Sequence, residues 1–368
     1  MDFKDYFDHP LGVELGGRAA ALLASFDQQR YSASLPADLR SLEMKARVKA
    51  MANALWDGLG LEFVPAAQVL VSMLDPIPGT RFGRMTGFPV WVIADIFETR
   101  GLEHFEPAMQ AIKKVTQHFT GEFAIRPYLD AYLEPTLQVL AGWVSDDSPD
   151  VRRLVSEGTR PRLPWASRVP SLLVDPAPVL ALLERLRNDR SEYVRRSVAN
   201  NLNDISKDHP SAVLDVLERW QVEERGPHTD WVIRHSLRTL ARRGDSRALE
   251  LLGYSMAAPV QVKRFQVGPS QIKPGERISL DCDIQIDSTS EHGLMVDYAI
   301  LAPGARGQIN RRVFKWSKRQ KLVKGSVKLQ RDHSIESSSL RSYYPGAHEV
   351  HLIINGQVVA QGSFELGV

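Results

Sequence analysis

The chain of 368 residues has a single cysteine, Cys282, and an internal disulfide is therefore impossible. The spacings CxxC and HExxH, which place zinc ligands, do not occur. The glycine-rich patterns GxGxxG and GxxxxGK[ST], which bind dinucleotides and nucleotide phosphates, are also missing. The sequence gives no case for a metal site or a nucleotide cofactor, and we expect no cofactor.

Long apolar segments are lacking as well. No run of eighteen apolar residues occurs, so no membrane span is expected. The first ten residues, MDFKDYFDHP, lack the basic start and apolar stretch of a secretory signal. Because a single cysteine also favours a reducing compartment, we expect a cytoplasmic location. The hydrophobic content of 43% and the charged content of 24% are ordinary for a soluble globular protein, and the length favours two domains.

A helical motif recurs three times in the middle of the chain. It begins at Val151, Val194 and Ile233, in the strings VRRLVSEG, VRRSVANNLND and IRHSLRTLARRGD. Self-similarity at about 40 residues is typical of HEAT-like helical pairs stacked into a solenoid. Residues 1–257 are therefore predicted to form an all-α solenoid.

One face of the repeated helix is polar. Side chains two, six and ten positions after the first motif residue share that face. They are Arg153 and Glu157 in the first repeat, Arg196, Asn200 and Asp204 in the second, and His235, Thr239 and Arg243 in the third. Arg153 and Glu157 could be an ordinary surface ion pair. However, Glu157 and Asp204 fall at helix C-terminal ends, where the macrodipole disfavours an anion.

The pattern changes after about Ala258. Seven short segments rich in Val, Ile and Phe follow, bounded by Gly, Pro and Ser, and Asn355-Gly356 between two apolar runs predicts a hairpin. Residues 258–368 are therefore predicted to form an immunoglobulin-like β-sandwich without a disulfide. Helical repeats followed by strands indicate two separate domains.

The second domain carries a basic segment. Ten basic residues and no acidic one occur from Arg306 to Arg331, with Phe314 and Trp316 between them. A basic segment with aromatic residues suits a polyanion such as DNA. The alternative is a solvated edge strand whose lysines block aggregation. Our candidate DNA contacts here are Arg312, Lys315, Lys318 and Arg319.

A loop with an unusual composition leaves the first repeat. It reads EGTRPRLPW from Glu157 to Trp165, with Arg160 before the first proline and Arg162 between the two prolines. Proline stiffens the loop, which fixes Trp165 at low entropic cost. The tryptophan ring can face a cation or a polarised sugar, or it can plug the next helical pair. The two arginines fit phosphate contacts.

The repeats, the loop string SEGTRPRLPW and the C-terminal sandwich together resemble the AlkC family of alkylpurine DNA glycosylases, over essentially the whole chain. The resemblance implies excision of cationic bases such as 3-methyladenine and 3-methylcytosine from double-stranded DNA, without flipping the base. It implies carboxylates that stabilise an oxocarbenium-like sugar or activate water.

The resemblance implies the following residue roles. Glu157 and Asp204 carry the catalytic carboxylates, with Glu122 as a third, and Trp165 contacts the lesion. The flanking DNA is expected to meet Arg153, Arg160, Arg162, Arg196 and His235, besides the four basic residues of the sandwich. No lysine stands out as a Schiff-base nucleophile, so a monofunctional enzyme is expected. We also expect a monomer. The alternative is a HEAT-repeat scaffold that binds DNA or protein without chemistry.

Overall fold

The computed structural model of the protein describes residues 2–81, 83–223, 226–337 and 342–368, without the side chains of 318–322. In these residues sixteen α-helices precede six β-strands. The predicted fold class, helical repeats followed by an all-β domain, is therefore confirmed.

The α-helices are short, from five to sixteen residues each. Their bounds are α1 His9–Leu22, α2 Gln28–Ser34, α3 Met44–Leu59, α4 Phe63–Ser72, α5 Trp91–Arg100, α6 Phe105–Thr116, α7 Arg126–Ala131, α8 Leu133–Trp143, α9 Pro149–Gly158, α10 Pro170–Val174, α11 Ala177–Leu186, α12 Glu192–Ile205, α13 Pro210–Glu223, α14 Pro227–Ser236, α15 Arg238–Arg243 and α16 Ser246–Leu251.

The chain divides into two compact units. The helical unit comprises Met1–His209 and Gly226–Ser236, and the sheet unit comprises Pro210–Arg225 and Leu237–Val368. Strands begin at Val260, close to the predicted change at 258. Three helices before that point nevertheless cluster with the sheet, namely α13, α15 and α16.

The first two repeat motifs fold as predicted. In α9, Ser148 caps the start by accepting a hydrogen bond from the Asp150 N–H, and Pro149 occupies the first turn. Val151 and Val194 are fully buried, as the apolar positions of the motif require. The polar side chains on the opposite face of each helix are therefore available for a functional site.

The third motif differs from the prediction of one continuous helix. The helix is interrupted at Leu237, between α14 and α15, where the backbone has φ −80° and ψ 0°. Arg243 lies in α15, in the sheet unit, whereas His235 lies in α14, in the helical unit. His235 and Arg243 therefore do not lie on one continuous helix.

The strands are longer and fewer than the seven predicted segments. Their bounds are β1 Val260–Gly268, β2 Gln271–Ile272, β3 Arg277–Pro303, β4 Ile309–Ser334, β5 Gly346–Ile354 and β6 Gln357–Leu366. Four of the predicted segments merge two by two, the first two into β3 and the next two into β4. These two strands pair with each other along their lengths, with register shifts. The first half of β3 also pairs with β1 and the second half with β5.

The predicted hairpin joins β5 to β6. Asn355 and Gly356 have φ of 46° and 83°, and this two-residue turn with positive φ at both positions suits the twist of antiparallel strands. The Asn355 side chain accepts a hydrogen bond from the Met295 N–H and donates to the Gly293 carbonyl. The turn is thereby fixed to the middle of β3.

Among the described residues of the sheet unit, buried side chains form three clusters, two of them made mainly of strand residues. Cys282 is 4% exposed, and burial raises the pKa of its thiol to about 11. Phe314 and Trp316, the aromatic residues of the basic segment, are partly buried and pack against the two strand clusters. Among the described helices none is long and apolar enough to cross a membrane alone; only the pair α3–α4, bent by 116°, meets the length and composition criteria.

Candidate active site

Acidic and basic side chains alternate in a connected series on the helical unit. In order along the series they are Glu122, Arg153, Glu157, Arg160, Asp204 and Lys207. We call these six residues the charge cluster. The sequence predicted that α9 and α12 bring polar faces together, and the cluster does join the two helices.

Glu157 lies at the centre of the cluster, one residue before the end of α9. Its Oε1 accepts from Arg160 at 2.6 Å and pairs with Arg153 at 3.3 Å, while Oε2 accepts from the Ser197 hydroxyl at 2.6 Å. Its side chain is 7% exposed. The two guanidinium groups offset both the loss of hydration and the unfavourable helix dipole.

Asp204 occupies the equivalent position near the end of α12. Its Oδ2 accepts from Nε and Nη2 of Arg160, at 2.8 Å and 2.7 Å. Its Oδ1 pairs with Lys207 Nζ at 2.7 Å. The side chain of Lys207 is 31% exposed against 3% for Asp204, so the ammonium is the partner that can most readily move aside.

The two arginines of the cluster are held in their charged form. Burial acts to lower the pKa of Arg153, but the charges of Glu157 and Glu122 outweigh it and raise the pKa above the ordinary value. For Arg160, burial likewise opposes the charges of Glu157 and Asp204, which raise its pKa. With three carboxylates and three cations, the cluster carries no net charge.

Glu122 differs from the other two carboxylates because one of its oxygens is available. Its Oε2 accepts from Thr120 at 2.7 Å and from Arg153 at 2.5 Å. Its Oε1 has no hydrogen-bond partner among the described residues. Glu122 lines a cleft of about 260 Å³, together with Arg153 and Tyr193, and the Arg153 guanidinium lies over the Tyr193 ring, 5.1 Å from its centroid.

Trp165 projects from the protein. The residue is 59% exposed, which excludes the interpretation that it plugs the next helical pair. Its φ is 63°, in the left-handed region that non-glycine residues rarely adopt. The Lys45 ammonium donates a hydrogen bond to the Trp165 carbonyl. An exposed ring on a fixed backbone suits contact with a ligand.

The arginines expected to meet phosphates have different surroundings. Arg160 bridges two carboxylates instead of facing solvent, so its contacts favour holding those carboxylates over binding phosphate. Arg162 pairs with Asp208 at the surface at 2.6 Å. Arg196 pairs with Glu192 and is 61% exposed. Phosphate contacts by Arg162 and Arg196 remain predictions.

The other residues expected to meet DNA lie in α14 and β4. His235 stacks on Trp231 and contacts Asn200 at 3.2 Å, in the neighbouring repeat. In β4, Lys315 is exposed, while Arg312 lies over the Tyr343 ring at 5.7 Å. The side chains of Lys318 and Arg319 lie outside the described residues.

Sequence reasoning missed three members of the site. Lys207 follows Asp204 by three residues, a spacing at which helical side chains meet, and could have been found. Ser197 and Tyr193 belong to the second repeat, and their contacts with Glu157 and Arg153 depend on how the repeats stack, which the sequence does not show. In the described part of the chain no group of three His, Cys, Asp or Glu side chains could hold a metal ion.

Comparisons with known proteins agree over the whole chain. Residues 261–368 match the family model described as the C-terminal Ig-like domain of the uncharacterised protein YhaZ. The chain is 36% identical to the uncharacterized protein YhaZ of Bacillus subtilis (strain 168), over 99% of both chains. It is 33% identical to the Pseudomonas fluorescens alkylpurine DNA glycosylase AlkC, solved bound to DNA containing an abasic site analog. That match covers 99% of both chains with a TM-score of 0.86.

Proposed function

The chain belongs to the AlkC family of alkylpurine DNA glycosylases, and from this premise we propose that it excises cationic N-alkylated bases from double-stranded DNA. The substrates proposed are 3-methyladenine and 3-methylcytosine, and the reaction is hydrolysis of the N-glycosidic bond in base excision repair. The observation that carries the proposal is the charge cluster, in which three carboxylates are fixed by arginines, one of which, Arg160, lies five residues before the exposed Trp165.

The chemistry follows from the charge of the lesion. An alkylated base is already cationic, so it leaves without strong protonation by the enzyme. The deoxyribose becomes positively charged as the bond breaks, and a fixed carboxylate stabilises that charge in the transition state. Glu122 is the carboxylate best placed to face the sugar or the attacking water, because its Oε1 is unbound and its cleft is open.

The remaining cluster members have supporting roles. The carboxylate oxygens of Glu157 and Asp204 are already bound by Arg160, Ser197 and Lys207. These two carboxylates therefore stabilise the positive charge of the sugar at a distance, and Asp204 could contact it directly only after Lys207 moves away. Trp165 contacts the lesion through its exposed ring, which attracts a cation.

We further propose that the base stays in the duplex. The cleft beside Glu122 is lined mainly by polar side chains, including Thr120, Asp150 and Arg153, whereas enzymes that flip a base hold it by stacking between apolar or aromatic groups. A 2-aminopurine placed next to the lesion reports flipping, since unstacking raises its fluorescence. We expect no rise on binding, and a rise comparable to that with a flipping glycosylase would contradict this part of the proposal.

The enzyme is also proposed to be monofunctional, monomeric and cytoplasmic. Lys207, the lysine of the cluster, is held by Asp204 in an ion pair, which disfavours its use as a nucleophile. Borohydride should therefore trap no covalent complex with DNA, and sedimentation should give the mass of one chain.

The direct test is incubation with alkylated duplex DNA, with released bases identified by mass spectrometry. We expect 3-methyladenine and 3-methylcytosine, and no release from unmodified DNA. A control variant for substitutions in the cluster is Glu184→Gln, which removes a carboxylate that binds an arginine outside the cluster and should release the same bases. DNA binding without any base release would favour the alternative, a non-catalytic scaffold.

A further inference from the structure

Arg126 is a buried arginine that binds backbone carbonyls instead of a carboxylate. It begins α7 and is 2% exposed. Its Nη1 donates to the carbonyls of Gly158 and Arg160, at 2.9 Å and 2.7 Å. Its Nε and Nη2 both donate to the Ser167 carbonyl, at 3.1 Å and 2.6 Å. One side chain therefore holds both ends of residues 159–167, which we call the Trp165 loop.

The geometry requires a guanidinium. The carbonyls of Gly158 and Ser167 lie at opposite ends of the loop, and a planar group with several N–H bonds in fixed directions can bind both together. Gly158 also ends α9, where carbonyls lack helical partners. The backbone of Gly158 packs closely against the Ile125 side chain, since a Cβ on Gly158 would lie 2.6 Å from Ile125 Cγ2. Burial lowers the pKa of Arg126 to about 10, so it stays charged at neutral pH.

The Trp165 loop carries two groups of the proposed site. Arg160 reaches back from it to Glu157 and Asp204. Trp165 holds its left-handed backbone conformation, which costs free energy and persists only where the surroundings enforce it. Lys45 binds the Trp165 carbonyl from α3. Arg126 and Lys45 together thus bind three carbonyls of the loop and that of Gly158 directly before it.

We propose that Arg126 is a positioning residue for base excision: by binding the carbonyls of Gly158, Arg160 and Ser167 it holds Arg160 between the two carboxylates and directs the Trp165 ring outward. This inference rests on the proposed glycosylase function and deepens it. Arg126 itself touches no reacting atom. Its effect is exerted through the loop, and a measurement of the loop alone can detect it.

Trypsin gives that measurement, because the loop contains a single susceptible bond. Cleavage after Arg162 is possible, whereas Pro161 blocks cleavage after Arg160. Arg126→Lys keeps the positive charge but loses the planar guanidinium that binds several carbonyls at once. We therefore expect faster cleavage after Arg162 in the folded protein. Single-turnover excision should fall by about 30-fold, since small misplacements of catalytic groups are costly, with little change in affinity for undamaged DNA.

The matched control is Arg47→Lys. Arg47 is 3% exposed and also donates to three backbone carbonyls, those of Leu42, Lys4 and Arg40. Its variant should lose stability to a similar extent while leaving cleavage at Arg162 and the excision rate unchanged. Equal effects of the two variants would reduce Arg126 to a general contributor to stability and overturn the proposal.

Further outcomes separate the two proposals. If Arg126→Lys fails to fold, Lys45→Met tests the same loop from an exposed position and should shift both readouts in the same direction, less strongly. Faster cleavage with an unchanged excision rate would overturn the positioning role. Wild-type protein that releases no base would instead contradict the glycosylase function, while cleavage at Arg162 would still report on the loop.

Discussion

The charge cluster of the helical unit and the basic strand β4 of the sheet unit use the same residue types in opposite ways. In the cluster, arginines are nearly buried and neutralised by carboxylates: the side chains of Arg153 and Arg160 are 14% and 11% exposed. In β4, basic side chains such as Arg311, Lys324 and Lys328 are exposed. Paired and desolvated charges fix geometry, whereas solvated ones supply a field that salt screens.

Under the proposed function, the difference predicts different tasks for the two regions. A cluster with no net charge contributes little to long-range attraction of DNA but can stabilise a transition state. A strand with exposed cations attracts any phosphate backbone, whatever its sequence or damage. We therefore expect substitutions in the cluster to change excision and stability, and those in β4 to change affinity and its salt dependence.

The largest effect is expected for Glu122→Gln. The substitution removes the charge of the carboxylate with a free oxygen, and single-turnover excision should fall by about 100-fold to 1,000-fold, as when a preorganised electrostatic group is removed. Affinity for undamaged DNA should be nearly unchanged. An excision rate like that of the Glu184→Gln control would remove Glu122 from the chemistry.

The next effect is on folding stability. Asp204→Asn leaves Arg160 with one carboxylate fewer in a buried setting, and should lower the free energy of unfolding by about 2 kcal/mol, besides slowing excision. Asp208→Asn is the matched control, since Asp208 pairs with Arg162 at the surface and should cost about 0.5 kcal/mol or less. Urea titration measures both. Similar costs would mean that the cluster is no more constrained than a surface pair.

A smaller effect is expected from β4. The double variant Arg311→Gln, Lys328→Gln should weaken binding to damaged and undamaged DNA alike, and flatten the salt dependence by roughly 0.9 for each phosphate that the protein no longer neutralises. Lys263→Gln, Arg264→Gln is the control, because these two exposed cations lie on β1 of the same sheet. An unchanged slope in the β4 variant would exclude this strand from the DNA interface.

The smallest effect concerns Glu98, a carboxylate of the helical unit outside the cluster. Burial, with a further contribution from the charge of Asp95, raises its pKa from 4.5 to about 7, against the opposing charges of Lys45 and Lys49. Between these values the folded state holds a proton that the unfolded state has released. Stability therefore falls as pH rises through this window.

Glu98→Gln should remove that dependence. Relative to wild type, the variant should gain stability at pH 7.5 compared with pH 6, by about 1 kcal/mol. Urea titration at the two pH values checks this, and parallel curves for the two proteins would show that Glu98 titrates normally.

Local pattern predicted much of this fold. The spacing of apolar residues indicated α9 and α12, and Asn355-Gly356 indicated the hairpin, because both depend on neighbours in sequence. The break at Leu237 was not predictable in this way, since the residues on both sides of it favour a helix. α15 clusters with the sheet unit, a tertiary preference that overrides the local one.

The sequence named candidate residues for the site, but their arrangement is visible only in the structure. Glu157 and Asp204 share a face, as the repeat spacing indicated, but the bridge by Arg160 depends on the distance between repeats and on the course of the Trp165 loop. Glu122 lies in a turn before α7, outside the helical register, so the sequence ranked it last. Its free oxygen is visible only from the contacts of the folded chain.

The burial of Cys282 has a practical consequence. With its thiol shielded in the sheet and its pKa raised, the native chain should react slowly with maleimides near neutral pH. A cysteine introduced at an exposed position would then be labelled selectively, without first removing a native one. Spin or fluorophore pairs placed on the Trp165 loop and on α7 could follow the distance between them in solution, with and without a damaged duplex.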